Sequence, residues 1–216
     1  MTSRFGAAAA LLVASAAVLI ILASGPGTRL GLWDFRIGFQ LLRYGAYVGG
    51  AAAALALAFL LIPGTRRGRV AALALALMVG FVCLAVPLQF RARGAGIPPI
   101  NDINTDLESA RFPEEQKKSY PDVAPLELAA PPAAAFTRAL DTAQAMGWQI
   151  VKSDPKARTI EAVDTTLWFG FKDDITVRVS MAGAGSRIDV RSRSRVGRGD
   201  LGTNARRIRA YFERLK

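Results

Sequence analysis

The sequence predicts an α+β protein with three transmembrane helices followed by a two-layer domain, in which a four-stranded antiparallel sheet is packed on helices. Residues 1–96 contain long apolar stretches, nine arginines and a single acidic residue, Asp34, whereas residues 97–216 contain almost all of the acidic residues. In the last third of the chain, segments with a strand period of two lie between segments with a helix period. The predicted parts are a transmembrane part at 1–93, a Pro-rich tether at 94–131 and a soluble domain at 132–216.

The transmembrane part contains three stretches without a charged residue, at residues 5–23, 45–62 and 70–88. As helices that rise about 1.5 Å per residue, they match the ~30 Å hydrocarbon core of a bilayer. Transport proteins place ionisable groups along their path, so the composition of these stretches argues against transport. Gly45 and Gly49 form a small-xxx-small pair, which predicts close helix packing within the chain or between copies.

The loop between the second and third stretches is short and contains Arg66, Arg67 and Arg69 without an acidic residue. Short basic loops stay in the cytoplasm. This predicts a multi-pass protein of a bacterial-type inner (plasma) membrane, with its C-terminal domain on the periplasmic or extracytoplasmic side. Arg91 and Arg93 after the third stretch, and the arginines between the first two stretches, favour the opposite orientation. Residues 29–44 fit either an amphipathic helix at the membrane interface or an extension of the second transmembrane helix.

The soluble domain begins with a predicted helix over residues 132–147. Four strands are predicted to follow, at residues 148–154, 159–167, 174–181 and 187–196. The last two alternate apolar and polar residues, which indicates one buried and one exposed face. A final helix is predicted to begin near Asp200 or Thr203 and carries a buried stripe of Ile208, Phe212 and Leu215.

The second half of the chain contains four distinctive segments: IPPINDINTD, MGWQIVKSD, IEAVDTTLWFGFKDDITVRV and SRIDVRSRSRVGRGDLGTNARRIRAYF. Together they resemble the domain-of-unknown-function family 1499 over residues 97–216. The strings Trp-Phe-Gly-Phe-x-Asp-Asp and Ser-Arg-Val-Gly-x-x-Asp-Leu-Gly-x-Asn are specific to this resemblance. Similar members often carry N-terminal membrane helices. The resemblance implies no activity and no catalytic residues.

The residue composition excludes several chemistries. The chain has no histidine, and its single cysteine, Cys83, lies inside the third apolar stretch. Disulfides within the chain, Cys/His zinc sites and triads with an imidazole base are therefore excluded. Asp102, Asn104 and Asp106 alternate as in the first half of an EF-hand loop, but Leu107 stands where that loop needs glycine, which favours turn and capping roles. We therefore predict no catalytic residue, no metal and no cofactor.

Three aspartates form the first candidate ligand-binding group. Asp164, Asp173 and Asp174 converge if the second and third predicted strands pair. Such a carboxylate cluster binds Mg²⁺ or Ca²⁺, or supplies an acid and a base to an enzyme. The basic residues nearby favour structural ion pairs instead.

Arginines and one tryptophan form the second candidate group. Arg187, Arg191, Arg193 and Arg195 share one face of the last predicted strand, and Trp168 lies in an aromatic cluster before the third strand. Arginines near a bilayer attract anionic headgroups, and an exposed tryptophan contacts lipid. The alternatives are a solvated strand face paired with acidic residues, and an aromatic cluster in the core. Of this group we predict Trp168, Arg191, Arg193 and Arg195 as ligand-binding residues.

These features predict a membrane-anchored, non-catalytic domain that binds a lipid, an envelope component or a protein partner. The expected partners are the lipid bilayer, anionic lipid headgroups and a membrane protein or second copy of the chain. Nucleic acid is not expected, because the chain is anchored in a membrane. Two alternatives are an enzyme based on carboxylates and arginines, with or without a metal, and a scaffold subunit of a membrane complex.

Overall fold

The computed structural model of the chain describes residues 2–66 and 68–216. Arg67, one of the three arginines in the predicted basic loop, lies outside the described residues. The chain divides into two compact units. The first contains Met1–Ala95 and Leu167–Gly170, and the second contains Gly96–Thr166 and Phe171–Lys216.

The described part of the first unit contains three long helices and one short one. They are α1 (Thr2–Arg29), α2 (Phe35–Leu61), the short α3 (Pro63–Arg66) and α4 (Val70–Arg93). The long helices are apolar enough to cross a membrane over Phe5–Arg29, Phe35–Leu61 and Val70–Ala92. This confirms the three predicted apolar helices and is consistent with association of the chain with a membrane.

Helix α2 begins well before the second predicted apolar stretch. The carboxylate of Asp34 accepts a hydrogen bond from the backbone amide of Arg36 at 2.9 Å and thereby caps the helix. An aspartate at this position satisfies an amide that has no partner within the helix. The helix then continues to Leu61. Residues 35–44 are therefore the first turns of α2, which is the second of the two interpretations that the sequence allowed.

Glycines set the distance between the helices of the first unit. A Cβ atom at Gly80 of α4 would lie 2.5 Å from the carbonyl oxygen of Gly49 and 2.7 Å from the amide nitrogen of Ala53, both on α2. A Cβ atom at Gly45 would lie 2.5 Å from a side-chain carbon of Ile21 on α1. Glycine permits this close approach because it has no side chain. The small-xxx-small pair is therefore used for packing within one chain.

The second unit contains an antiparallel sheet and three helices. The strands are β1 (Asp102–Asn104), β2 (Leu126–Leu128), β3 (Gln149–Asp154), β4 (Thr159–Thr165), β5 (Lys172–Ala182) and β6 (Gly185–Ser194). The helices are α5 (Pro113–Ser119), α6 (Pro132–Ala145) and α7 (Thr203–Leu215). The strand order is β1-β6-β5-β4-β3, and β2 also pairs with β6.

The prediction of four strands is wrong, because the sheet has six. The two additional strands, β1 and β2, lie in the segment that the sequence indicated as a tether. Both pair with β6: Asp102 of β1 is opposite Arg193, and Leu126 of β2 is opposite Ile188. Each of these strands has only three residues, which is too few to display a period of two.

Alternation along β5 and β6 separates a buried face from an open one. Val177 of β5 and Val190 of β6 are fully buried in a hydrophobic core that also contains Phe136 of α6 and Ile208 of α7. The opposite face carries charged side chains that are exposed or half-buried. A sheet with one buried and one solvated face is common in antiparallel architectures. The open face is therefore the surface on which polar residues of β5 and β6 can meet a ligand.

Tyr211 joins the two longer helices of the second unit. Its ring stacks on Trp148 with centroids 4.9 Å apart, and its hydroxyl donates a hydrogen bond to the carbonyl oxygen of Ala139 at 2.8 Å. Burial raises the pKa of Tyr211. The phenol therefore stays neutral and acts as a hydrogen-bond donor in the core.

Candidate functional site

A buried guanidinium group lies on the core side of the sheet. Arg207 of α7, whose side chain is 5% exposed, donates hydrogen bonds to Asp164 at 2.8 Å and to Asp173 at 2.6 Å. The same group donates to Ser192 Oγ at 2.9 Å and to Asn204 Oδ1 at 2.7 Å. We name these five residues the Arg207 cluster. Its hydrogen bonds offset the desolvation of Arg207 and of Asp173, which is 4% exposed.

Asn204 extends the Arg207 cluster to the segment before β1. Its side-chain oxygen also accepts a hydrogen bond from Ser192 Oγ at 2.7 Å. Its side-chain nitrogen donates to the carbonyl oxygen of Asn101 and to Ser194 Oγ, both at 3.1 Å. The cluster thus connects α7 with β4, β5, β6 and the start of the second unit. A buried polar network whose groups are all bonded makes the fold more rigid.

The structure brings together two of the three candidate aspartates. Asp164 and Asp173 are register partners on β4 and β5, and both bind Arg207. Asp174 follows Asp173 in an extended strand, so it lies on the opposite face, where it binds Arg195. Among residues 2–66 and 68–216, no group of three His, Cys, Asp or Glu side chains could hold a metal ion. Instead of lining a metal site together, each of the three carboxylates is hydrogen-bonded to a guanidinium group.

Four arginines lie on the open face of β6. We name Arg187, Arg191, Arg193 and Arg195 the arginine row. Arg187, Arg191 and Arg193 lie on β6, with Asp189 between the first two, and Arg195 directly follows the last residue of the strand. Alternate residues of a strand lie about 6.6 Å apart, so Arg191, Arg193 and Arg195 follow one another at about this spacing, and Arg187 lies two such steps before Arg191.

Three arginines of the row are each held by one aspartate through both Nε and Nη2. The pairs are Arg187 with Asp189 (2.9 and 3.1 Å), Arg191 with Asp102 (2.9 and 2.6 Å) and Arg195 with Asp174 (2.9 and 2.6 Å). These hydrogen bonds raise the pKa of all three guanidinium groups. In the described part of the chain, the Nη1 atoms of these arginines have no hydrogen-bond partner. Each of these aspartates therefore fixes one edge of a guanidinium group and leaves three of its five N–H donors for another acceptor.

Arg193 differs from the other members of the row. Its side chain is exposed, and it makes no hydrogen bond or ion pair with any described residue. Its register partners are Asp102 on one side and Asp174 on the other, each of which is bound by a different arginine. The row and its aspartates therefore carry one uncompensated positive charge, which lies at Arg193.

Trp168 belongs to the first unit, whereas the arginine row belongs to the second. A Cβ atom at Gly25 of α1 would lie 2.1 Å from Cδ1 of the indole, so the ring packs directly on that glycine. The side chain of Trp168 is 40% exposed. In the same unit, Phe169 makes an edge-to-face contact with Phe39 of α2. Trp168 therefore packs on residues of the first unit.

A groove of about 330 Å³ lies between the residues that follow β1 and those that precede β2. It is lined by Asp106, Glu108, Lys117 and Arg187 among several apolar side chains. A hydrogen bond from Ser109 lowers the pKa of Asp106. Because carboxylates and basic groups are both present, the groove selects neither an anion nor a cation.

Comparison of the sequence with known protein families identifies one family. A family model described as "Protein of unknown function (DUF1499)" matches residues 102–215. This confirms the resemblance that the distinctive segments indicated. No curated protein matches the chain.

Proposed function

This chain belongs to the DUF1499 family of proteins of unknown function, and we propose that its second unit is a non-catalytic domain that binds phosphate-type oxyanions through the arginine row. The observation that carries the proposal is Arg193, an exposed guanidinium between two arginines that aspartates hold in position. Lipid headgroups and soluble phosphates both present this chemistry. The three long apolar helices keep such a domain at a membrane.

The aspartates that pair with arginines of the row support oxyanion binding rather than only neutralising the charge of the arginines. A free arginine on a strand loses rotamer freedom when it binds an anion, and this loss weakens binding. The two hydrogen bonds that each of Arg191 and Arg195 donates to its aspartate already restrict these side chains, so less freedom is lost when the remaining donors engage a ligand. The aspartates also lower the net charge, which reduces nonspecific attraction of other anions. The row is thus suited to an oxyanion that contacts several guanidinium groups together.

The carboxylates support an enzyme less well. A general base must reach a proton of the substrate, and a carboxylate oxygen that already accepts a hydrogen bond from a guanidinium group is less available for that contact. Asp164 and Asp173 share Arg207 on the core side of the sheet, and Asp174 is bound to Arg195. These bonds favour the structural interpretation of all three residues.

Replacing Arg193 with glutamine is expected to weaken oxyanion binding about tenfold, because a charge-assisted hydrogen bond worth about 1.5 kcal/mol is lost. The full chain is reconstituted in nanodiscs of phosphatidylcholine, and binding of inorganic pyrophosphate is measured by calorimetry at two salt concentrations. Flotation with vesicles that contain phosphatidylglycerol is the second arm. Binding to vesicles without binding to pyrophosphate identifies a lipid headgroup as the source of the oxyanion, and the reverse identifies a soluble phosphate.

Arg214 provides the matched control, since it is an exposed arginine on α7. The variant R214Q changes the net charge by the same amount as R193Q and should bind both probes like the wild type. The proposal is wrong if the wild type binds neither pyrophosphate nor anionic vesicles. It is also wrong if R193Q and R214Q weaken binding equally, because the effect is then one of net charge.

We also propose that the membrane is a bacterial inner (plasma) membrane and that the second unit lies on its periplasmic side. The support is the short loop after α2, which carries arginines and no acidic residue. Alkaline phosphatase fused after Lys216 is expected to be active, and the same enzyme inserted at Gly64 is expected to be inactive. The opposite pattern of activities would place the second unit in the cytoplasm.

A further inference from the structure

The loop between β6 and α7, residues 195–202, combines exposed apolar and basic side chains. We name it the β6–α7 loop. Leu201 is 52% exposed and Val196 is 38% exposed. Arg198 is exposed and makes no hydrogen bond or ion pair with any described residue. Exposed leucine and valine beside arginine are typical of segments that lie in the interface of a bilayer.

The backbone keeps Leu201 in a conformation that leucine rarely adopts. Its φ is +54°, in the left-handed region that favours glycine. The carbonyl oxygen of Leu201 accepts a hydrogen bond from Arg206 at 2.9 Å, and the next amide, of Gly202, donates to Asp200 at 2.8 Å. Strained residues persist where surrounding bonds enforce them, and they cluster at functional sites. Glycine at this position would remove the strain, but it would not supply the exposed apolar side chain of Leu201.

The one acidic residue of the loop, Asp200, is hydrogen-bonded to backbone amides. The two carboxylate oxygens of Asp200 accept hydrogen bonds from the amides of Gly202 and Asn204, at 2.8 and 2.6 Å. Arg198 has no such acceptor nearby, and Arg195 retains donors beyond its bond to Asp174. The charge that the loop offers to its surroundings is therefore positive.

The loop is bonded to the segment that follows the third apolar helix. Asn101 donates a side-chain hydrogen bond to the carbonyl oxygen of Gly197 at 2.7 Å, and the amide of Asp200 donates to the carbonyl oxygen of Ile100 at 3.3 Å. The apolar part of α4 ends at Ala92. An extended chain spans about 3.5 Å per residue, so eight residues reach at most about 28 Å. The bonded segment therefore limits how far the loop can lie from the end of the third apolar helix.

We propose that the β6–α7 loop inserts into the lipid interface, with Leu201 and Val196 among the upper acyl carbons and Arg198 at the headgroups. The occupant of this surface is the bilayer in which the apolar helices lie. Charge complementarity and the short connection to α4 both favour this occupant. The inference goes beyond oxyanion binding by the arginine row, since insertion of the loop requires no ligand on β6.

Fluorescent labelling of single cysteines tests the insertion directly. In a Cys83→Ala background the chain has no cysteine, so Leu201→Cys can be labelled with an environment-sensitive nitrobenzoxadiazole group. The full chain is placed in nanodiscs that contain phosphatidylglycerol, with and without doxyl-labelled lipid. Emission from position 201 is expected to shift to shorter wavelength and to be quenched strongly by the doxyl lipid.

Met181 provides the matched control. It lies on β5 opposite Ser186, near the start of β6 and so far along the strand from the β6–α7 loop. It is 71% exposed and lies beside the turn that joins β5 to β6. The label on Met181→Cys should show the emission of an aqueous site and several-fold weaker quenching. Equal quenching at positions 181 and 201, or an aqueous spectrum at 201, overturns the proposal. Hydrogen exchange of the β5 and β6 amides checks that both variants are folded.

The two proposals can fail separately. If pyrophosphate binds in an Arg193-dependent manner while position 201 stays in water, the arginine row binds an oxyanion and the loop does not contact lipid. If position 201 is quenched while neither pyrophosphate nor anionic vesicles bind, the loop contacts lipid and the oxyanion proposal is wrong.

Discussion

Replacement of Arg207 by methionine is expected to reduce the free energy of unfolding of the second unit by about 3–5 kcal/mol. Methionine fills a similar volume but leaves the buried carboxylate of Asp173 without a positive charge. Ser192 Oγ and Asn204 Oδ1 also lose the hydrogen bond from Arg207 and keep the one between them, so the loss extends beyond the ion pair. Hydrogen exchange of β5 and β6 amides, measured by mass spectrometry on the detergent-solubilised full chain, reports this loss.

Arg209 offers a matched control on the same helix. It forms a bidentate ion pair with Asp122, but both side chains are largely exposed, at 40% and 57%. Exposed ion pairs contribute less than about 1 kcal/mol. Arg209→Met should therefore leave exchange in the sheet almost unchanged. Similar losses in R207M and R209M would mean that the Arg207 cluster does not stabilise the fold more than a surface pair does.

Substitution of Gly80 by alanine is expected to separate α2 from α4 and to destabilise the helical unit by about 1–3 kcal/mol. The added methyl group would meet backbone atoms of Gly49 and Ala53, which cannot move without moving the whole helix. Cys83 reports the separation, because it is buried and faces Gly49 on α2. Its labelling by N-ethylmaleimide should become several-fold faster in Gly80→Ala than in the wild type.

Gly50 is the control for this second prediction. A Cβ atom at Gly50 would lie 3.4 Å from a terminal carbon of Leu84, which is ordinary contact with the flexible end of a side chain. Gly50→Ala should leave the labelling rate of Cys83 unchanged and can stabilise α2 through helix propensity. If both alanine variants label at the wild-type rate, the close crossing at Gly80 does not limit the packing of these helices.

The long periodic elements of this chain could be read from the sequence, and the short ones could not. The apolar stretches predicted the three long helices, and alternation over residues 174–181 and 187–196 predicted β5 and β6 nearly in full. Strands β1 and β2 have three residues each within a Pro-rich segment, so no period marks them. Only the tertiary pairing with β6 makes them strands, and that pairing is not local information.

The Arg207 cluster was missed for a related reason. The apolar stripe of α7 predicts the burial of Ile208, Phe212 and Leu215, and it gives no indication that Arg207 is buried. Asn204 and Arg207 are in fact buried with that stripe. The available signal was their spacing of three residues, which puts both on one helix face beside Ile208. Their acceptors lie on β4, β5 and β6, and only the assembled sheet brings those strands under α7.

The sequence predicted that the four arginines share one face, but it did not predict which of them pair with aspartates. The period of two put Arg187, Arg191, Arg193 and Arg195 on one face. Which of them has a carboxylate partner depends on β1 pairing with β6, since Asp102 reaches Arg191 only through that register. Which arginines of the row have an aspartate partner therefore depends on β1, a strand that no sequence pattern predicted.

Strand β6 is the last strand to leave the ribosome, and it is the one on which β1, β2 and β5 all depend. Until it is synthesised, the segment that holds β1 and β2 has no strand to pair with, so the sheet cannot be completed before β6 is made. Contacts across such long sequence separations slow folding. A truncated gene product that begins at residue 132 would present β6 as an open edge, and open edges promote aggregation. An expression fragment of the second unit should therefore start before Asp102.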